Sequence, residues 1–183
     1  LRRQRQMCIR DSYNDDPRLG DARLCGTTAS LCGIERFGFE GNQEGVDRAV
    51  RYDITLHAFM LSQSGIPVIY SGDEIGQVND YSYKDDPEKS DDSRYLHRGK
   101  FDWKLAENRH DPATVQGKLF PVLDKLEHIR SSHGIFNSNV PIRTIDTWDT
   151  SVLAFIRENN EEKFIGIYNF SENDNCLLYT SDA

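Results

Sequence analysis

The residues of this 183-residue chain best suited to chemistry are two adjacent carboxylates, Asp73 and Glu74. They end the segment Gly65-Ile66-Pro67-Val68-Ile69-Tyr70-Ser71-Gly72-Asp73-Glu74-Ile75-Gly76, where an apolar β-branched run leaves a Gly-Ile-Pro turn and meets acid. A buried strand that delivers acids at its carboxyl end is how a parallel α/β barrel builds the rim of an active site. Two carboxyl groups about 5–5.5 Å apart could cleave a glycosidic bond with retention. Neighbours on an extended strand point to opposite faces, however. Asp73 and Glu74 are therefore read as lining a site and orienting its loops, not as its acid and nucleophile.

A second group follows in Lys89-Ser90-Asp91-Asp92-Ser93-Arg94-Tyr95-Leu96-His97. The planar guanidinium of Arg94 can hold a carboxylate in fixed bidentate geometry or bridge two hydroxyls, and Arg23, in Gly20-Asp21-Ala22-Arg23-Leu24, could do the same. Taken alone, a loop arginine among acids is most simply a solvated ion pair of little energetic worth. Asp91, Asp92 and His97 join the candidates as residues lining the site. The acidic run of residues 85–92 offers oxygen ligands but lacks the alternation and closing Glu of a calcium loop. His57, His97, His110, His128 and His133 show no metal spacing, so no metal site is expected among them.

Several elements must position these groups. Val46, Ala49, Val50, Ile54, Ala58 and Leu61 recur at helical spacing and predict an amphipathic helix over 45–63, stopped by Gly65 and Pro67. Val68, Ile69 and Tyr70 then read as the core of a buried parallel strand. Residues 79–109 form a hydrophilic loop, long enough to be functional. Asp111 and Pro112 fit an N-cap and first turn, and Val115, Leu119, Val122, Leu123, Leu126 and Ile129 predict a second helix that Pro121 should kink or divide. Nearer the start, residues 14–21 read as a loop leading into a short, small-residue helix over 23–33. From Ile142 the period becomes two, and residues 152–157 and 164–170 read as a β-hairpin around 159–162. A domain boundary is placed near 134–139.

The ends stand apart. Residues 7–12 and 176–181 can be encoded by opposite strands of one DNA segment, so 1–12 and 176–183 are read as translated adapter and kept out of the fold. The formal net charge of −8 becomes more negative without them, because they carry Arg2, Arg3, Arg5 and Arg10 against Asp11 and Asp182. An acidic chain without a basic cluster is a poor partner for nucleic acid or an anionic membrane, and no apolar run approaches the ~18 residues of a membrane span. Cys25 and Cys32 have neither disulfide-framework nor zinc spacing and read as small packing residues.

The segment 65–76, with 89–95 and 20–24, resembles the α-amylase superfamily of glycoside hydrolases. Lys89-Ser90-Asp91-Asp92-Ser93-Arg94 and Arg109-His110-Asp111-Pro112-Ala113-Thr114 narrow the resemblance to the amylosucrases within it. The resemblance implies an α/β fold, with 13–134 as the C-terminal part of a (β/α)8 barrel and 135–175 as the start of an all-β domain. It further implies a retaining transfer of glucose from sucrose to an α-1,4-glucan, with the catalytic carboxylates upstream of these residues and no cofactor. A sucrose hydrolase or other α-glucosidase stays open as the enzymatic alternative, and a non-catalytic carbohydrate-binding remnant as another. By the same resemblance Arg23 contacts the fructosyl or acceptor sugar, and Arg94 pairs with a loop aspartate at the floor of the glucosyl pocket. Tyr81, Tyr83, Tyr95, Phe101 and Trp103 could stack on sugar faces or simply anchor the long loop. Ser71 and Tyr95-Leu96-His97 depart from the pattern, which puts acceptor preference in doubt. Taken alone, the 183-residue polypeptide is expected to be inactive and poorly folded.

Overall fold

The computed structural model describes the backbone of residues 11–16 and 21–175, and side chains from Cys25 onward. Residues 1–10 and 176–183 of the adapter reading, and the side chain of Arg23, lie outside the described residues. The chain is α/β: helices and turns dominate its first part and an antiparallel sheet ends it, the succession expected of the last barrel segments followed by a β-domain. It divides into two compact units, one of residues 1–53 and 69–122, the other of 54–68 and 123–183.

In the first unit β1 (Asp11–Asp16) pairs antiparallel with β2 (Asp21–Cys25), with Tyr13 opposite Arg23. This corrects the expected loop over 14–21 and delays the helix. α1 (Thr28–Cys32) begins only where Thr27 accepts the Ser30 N–H, as an N-cap requires. α2 (Ile34–Phe39) follows through Gly33, and α3 (Gln43–Ser62) begins at Asn42, whose side chain accepts the Gly45 N–H at 2.9 Å. Val46, Ala49, Val50, Asp53, His57 and Leu61, spaced by three and four, are the buried stripe of α3.

α4 (Trp103–Ala106) is one turn inside the long loop. α5 (Val115–Ser132) is capped by Thr114, which accepts the Gly117 N–H at 3.0 Å; the Asp111 carboxylate instead accepts from Ala113 within the preceding turn. The cap expected at Asp111 thus falls three residues later, because the turn 111–114 must close first. Pro121 does not divide α5. A proline inside a helix costs about 3 kcal/mol. Leu119 and Leu123, both fully buried, contribute a similar sum by burial and hold both sides of the proline in place.

The expected buried strand at Val68-Ile69-Tyr70 is not one. Val68 is 72% and Ile66 92% exposed, and among the described residues no strand pairs with 66–70. A parallel strand is buried only when neighbours flank it and helices cover both faces, and the described residues supply none of those neighbours here.

In the second unit β3 (Ile142–Ile145), β4 (Val152–Glu158) and β5 (Lys163–Asn169) form an antiparallel sheet in the order β3-β4-β5. The hairpin is as expected: Glu158 faces Lys163, and Asn159 Oδ1 accepts both Glu161 and Glu162 N–H to shape the turn. Tyr168 stacks on Phe155 and meets Phe59 of α3 edge-on, and its hydroxyl hydrogen-bonds Ser62 at 2.7 Å. Arg157 is fully buried and donates to the carbonyls of Ser62, Asn137 and Val140.

Candidate functional site

Asp73 and Glu74 lie in a 3-10 turn, Asp73–Ile75, between Gly72 (φ 100°) and Gly76 (φ 61°). Left-handed backbone at both ends is what lets the chain leave the extended segment and reverse within three residues. A Cβ on Gly72 would also come within 2.9 Å of Gln77. Each carboxylate folds back on its own turn. Asp73 Oδ2 accepts the Tyr70 N–H at 3.2 Å, Glu74 Oε2 accepts the Gly72 N–H at 3.0 Å, and the Asp73 N–H returns to Tyr70 O at 3.0 Å. Asp73 is buried and Glu74 half-buried. Both therefore shape the turn, and they do so within a 3-10 turn, not on the extended strand expected.

Asp92 and Arg94 form a fork. Arg94 Nε reaches the two carboxylate oxygens at 2.8 and 3.0 Å and Nη2 reaches Oδ2 at 2.7 Å, while the Arg94 N–H also donates to Oδ1. The Arg94 side-chain hydrogen bonds hold the Asp92 carboxyl down at about 2. Asp92 caps the 3-10 turn Ser93–His97, so one carboxylate fixes both the turn and the cation. Asp91, one residue earlier, points to solvent.

His97 ends that turn. Its ring meets Tyr70 edge-on, centroids 5.6 Å apart, and its Nδ1 is buried without a hydrogen-bond partner. Burial, and after it the Arg98 charge, pull the imidazole below its usual value, with Asp92 opposing. Asp73, Tyr70 and His97 are thus joined through successive contacts, and the turn that His97 ends is the one capped by Asp92 of the Asp92–Arg94 fork, so four of the candidates lie on two connected turns. Asp91 stands apart at the surface, Glu74 is bound into its turn, and Arg23 is placed only by its backbone in β2.

The aromatic residues separate by environment. Tyr83 is buried, Tyr95 has the Lys89 and Arg98 cations each within about 6 Å of its ring centre, and Trp103 is 77% exposed. Lys89 itself pairs with Asp86.

The residues that hold this arrangement were not candidates. Gln77 donates to Lys100 O at 3.0 Å and accepts the Asp102 N–H at 3.1 Å, so it clamps both limbs of the long loop. Asn79 Oδ1 accepts the Thr27 N–H at 2.8 Å and the Asn79 N–H donates to Ser30 Oγ at 3.0 Å, in a buried polar link to the start of α1. Asp53, buried on α3, acts electrostatically on Cys32 together with Asp73, after burial, and the thiol is pushed far up. Only Asp53 had a visible signal, as an acid at a buried position of the α3 stripe. The partners of Gln77 and Asn79 are too distant in sequence to betray them.

Comparison with known proteins gives a relative of known activity. The chain is 33% identical over 129 residues to glucosylglycerate phosphorylase of Escherichia coli (strain K12), a match over 69% of this chain and 22% of the relative. The two are homologous, and the chain spans about a fifth of that relative's length. Among solved structures it is similar to a trehalulose synthase at 19% identity and TM-score 0.45, over 65% of this chain and 30% of that one. It is similar also to trehalose-6-phosphate hydrolase of Bacillus licheniformis, at 20% identity and TM-score 0.45, over 66% of this chain and 30% of that one. No family model matches.

Proposed function

We propose that this chain is part of a retaining glucosyl-transferring enzyme of the α-amylase superfamily. The observation that carries the reading is the 33% identity to glucosylglycerate phosphorylase. In this reading residues 13–134 belong to a (β/α)8 barrel and 135–175 begin a β-domain. The catalytic carboxylates are supplied by other parts of the longer protein, and this chain supplies the floor of the sugar pocket. Arg94, held in fixed orientation by Asp92, is assigned to the floor of the glucosyl pocket, where a planar cation can position a carboxylate against the sugar. Neutral His97, seated on Tyr70, offers a ring nitrogen that can accept from a hydroxyl. Arg23 is assigned to the acceptor side. The finer reading takes sucrose as donor and an α-1,4-glucan as acceptor, with fructose released and no cofactor.

The name of the E. coli relative favours a second acceptor, inorganic phosphate. One experiment separates the readings: incubate the full-length protein that carries this chain with sucrose, with and without phosphate, and measure fructose, glucose and glucose 1-phosphate. Fructose in excess of glucose without phosphate, with α-glucan formed, supports transfer to glucan. Glucose 1-phosphate formed only with phosphate supports a phosphorylase, and equal fructose and glucose a hydrolase. No release from sucrose, but phosphate-dependent release of glycerate from glucosylglycerate, would remove sucrose as donor.

A further inference from the structure

We propose that Phe101 and Trp103 form a stacking platform for a pyranose ring of an α-linked glucose oligosaccharide. The proposal rests on the glucosyl-transfer reading and adds to it a place where the longer substrate is held. The two rings lie 4.7 Å apart between centroids, tilted by 59°, so Phe101 backs Trp103 from one side. Trp103 is nevertheless 77% exposed. Phe101 is half-buried, and Lys100, Asp102 and Lys104 around the pair are exposed. An apolar ring surface within a rim of hydrogen-bonding side chains matches a pyranose, which has an apolar C–H face and an equatorial belt of hydroxyls.

The pair is also held rigid, which a binding platform needs and a loose surface tryptophan lacks. Gln77 grips Lys100 O and the Asp102 N–H, the backbone on either side of Phe101. Asp102 caps α4 by accepting the Leu105 N–H at 2.9 Å, which fixes the backbone of Trp103 at the first helical position. Gln77 itself leaves the turn of Asp73 and Glu74, and its N–H donates to Gly72 O at 2.9 Å. The platform is therefore tied to the same turn that anchors Tyr70 and His97.

The test uses the full-length protein that carries this chain, with maltoheptaose and glucose as probes. Trp103→Ala is expected to weaken maltoheptaose binding about tenfold, Trp103→Tyr by threefold or less, and neither to change glucose binding or the rate of sugar release from a small donor. Unchanged maltoheptaose affinity in Trp103→Ala overturns the platform. A measurement on the unaltered protein covers the case of a misfolded variant: oxidation of Trp103 by N-bromosuccinimide, located by peptide mapping. Protection by maltoheptaose but not by glucose is expected. Equal oxidation with and without it, or no oxidation in the free protein, overturns the proposal. Maltoheptaose protection in a protein that transfers no glucose would keep the platform and remove the transfer reading.

Discussion

Arg130 and Arg157 divide between them carbonyl groups at the end of α3 and just beyond it. Arg130 donates to those of Leu61, Gln63 and Gly65, and Arg157 to that of Ser62. The last carbonyls of a helix have no partner within it and carry its negative dipole end, so two guanidinium groups satisfy both needs. Burial, and then the nearness of Arg130, draw the Arg157 guanidinium below its usual range. The two differ in exposure: Arg157 is fully buried on β4, while Arg130 lies near the surface end of α5. Arg157→Met leaves three carbonyls without that donor, two of them buried, and is expected to cost about 3 kcal/mol, whereas Arg130→Met, whose carbonyls can turn to water, costs about 1 kcal/mol. Urea midpoints of the two variants measure this. Equal losses would mean that burial does not set the difference.

Acid should act on the loop site in two separate pH ranges. The imidazole of His97 is held below its usual 6.5, chiefly by burial. The unfolded chain then binds the extra proton first, so stability falls as pH drops through 6.5 and below. For Asp92 the folded carboxyl is at about 2 against a usual 3.8, so its contribution is complete above 3.8 and is lost as pH falls towards 2. Thermal melting of His97→Phe should be less sensitive to pH between 7 and 5 than the parent, whereas Asp92→Asn should melt below the parent by a margin that is constant above about pH 4 and closes only in stronger acid. A parallel pair of curves for parent and His97→Phe would sink the first half.

Two glycines in helices should respond in opposite senses to alanine. A Cβ at Gly117 would lie 1.9 Å from the Asp111 carbonyl oxygen, whereas one at Gly38 in α2 meets nothing within 4 Å. Gly38→Ala should stabilise by about 0.5–1 kcal/mol through helix propensity. Gly117→Ala should destabilise by about 2 kcal/mol, because the backbone must move. Melting temperatures decide the matter, and a gain at both positions would show that the first turn of α5 can shift freely.

The exposed segment 66–70 should control the solution behaviour of the 183-residue polypeptide made alone. Ile66 and Val68 present apolar side chains on backbone that no described strand pairs, an arrangement that invites strand addition. The polypeptide should enhance the fluorescence of anilinonaphthalene sulfonate and run as oligomers by light scattering. Val68→Lys should lower both signals severalfold by placing charge on that edge. Monomeric, dye-silent parent polypeptide would refute this.

What could be read in the sequence follows how local each cause is. The stripe of α3, the α5 periodicity and the β4-β5 hairpin each depend on residues within a turn or two of one another, and all three were legible. Pairing of Asp92 with Arg94 spans two residues and was foreseen only in type, as an arginine suited to hold a carboxylate. The turn at Asp73 was placed but given the wrong conformation, since adjacency argued from an extended strand where Gly72 turns the chain left-handed. β1 and β2 escaped because their pairing lies in a polar, glycine-containing stretch without alternation. Gln77 and Asn79 have no local signature, because what makes them matter is a hydrogen-bonding group 23 to 52 residues away.

The link from Asn79 to Thr27 and Ser30 has a bearing on the order of assembly. Its hydrogen bonds join residues 52 and 49 positions apart, so closing it costs the entropy of a long loop. That cost falls by about 0.4 kcal/mol once α3 has formed, because twenty of the intervening residues are then a rigid rod. The loop of Asp73 and Gln77 thus acquires its final shape after α3, and substitutions at Asn79 should raise the rate of unfolding while leaving the rate of folding nearly unchanged.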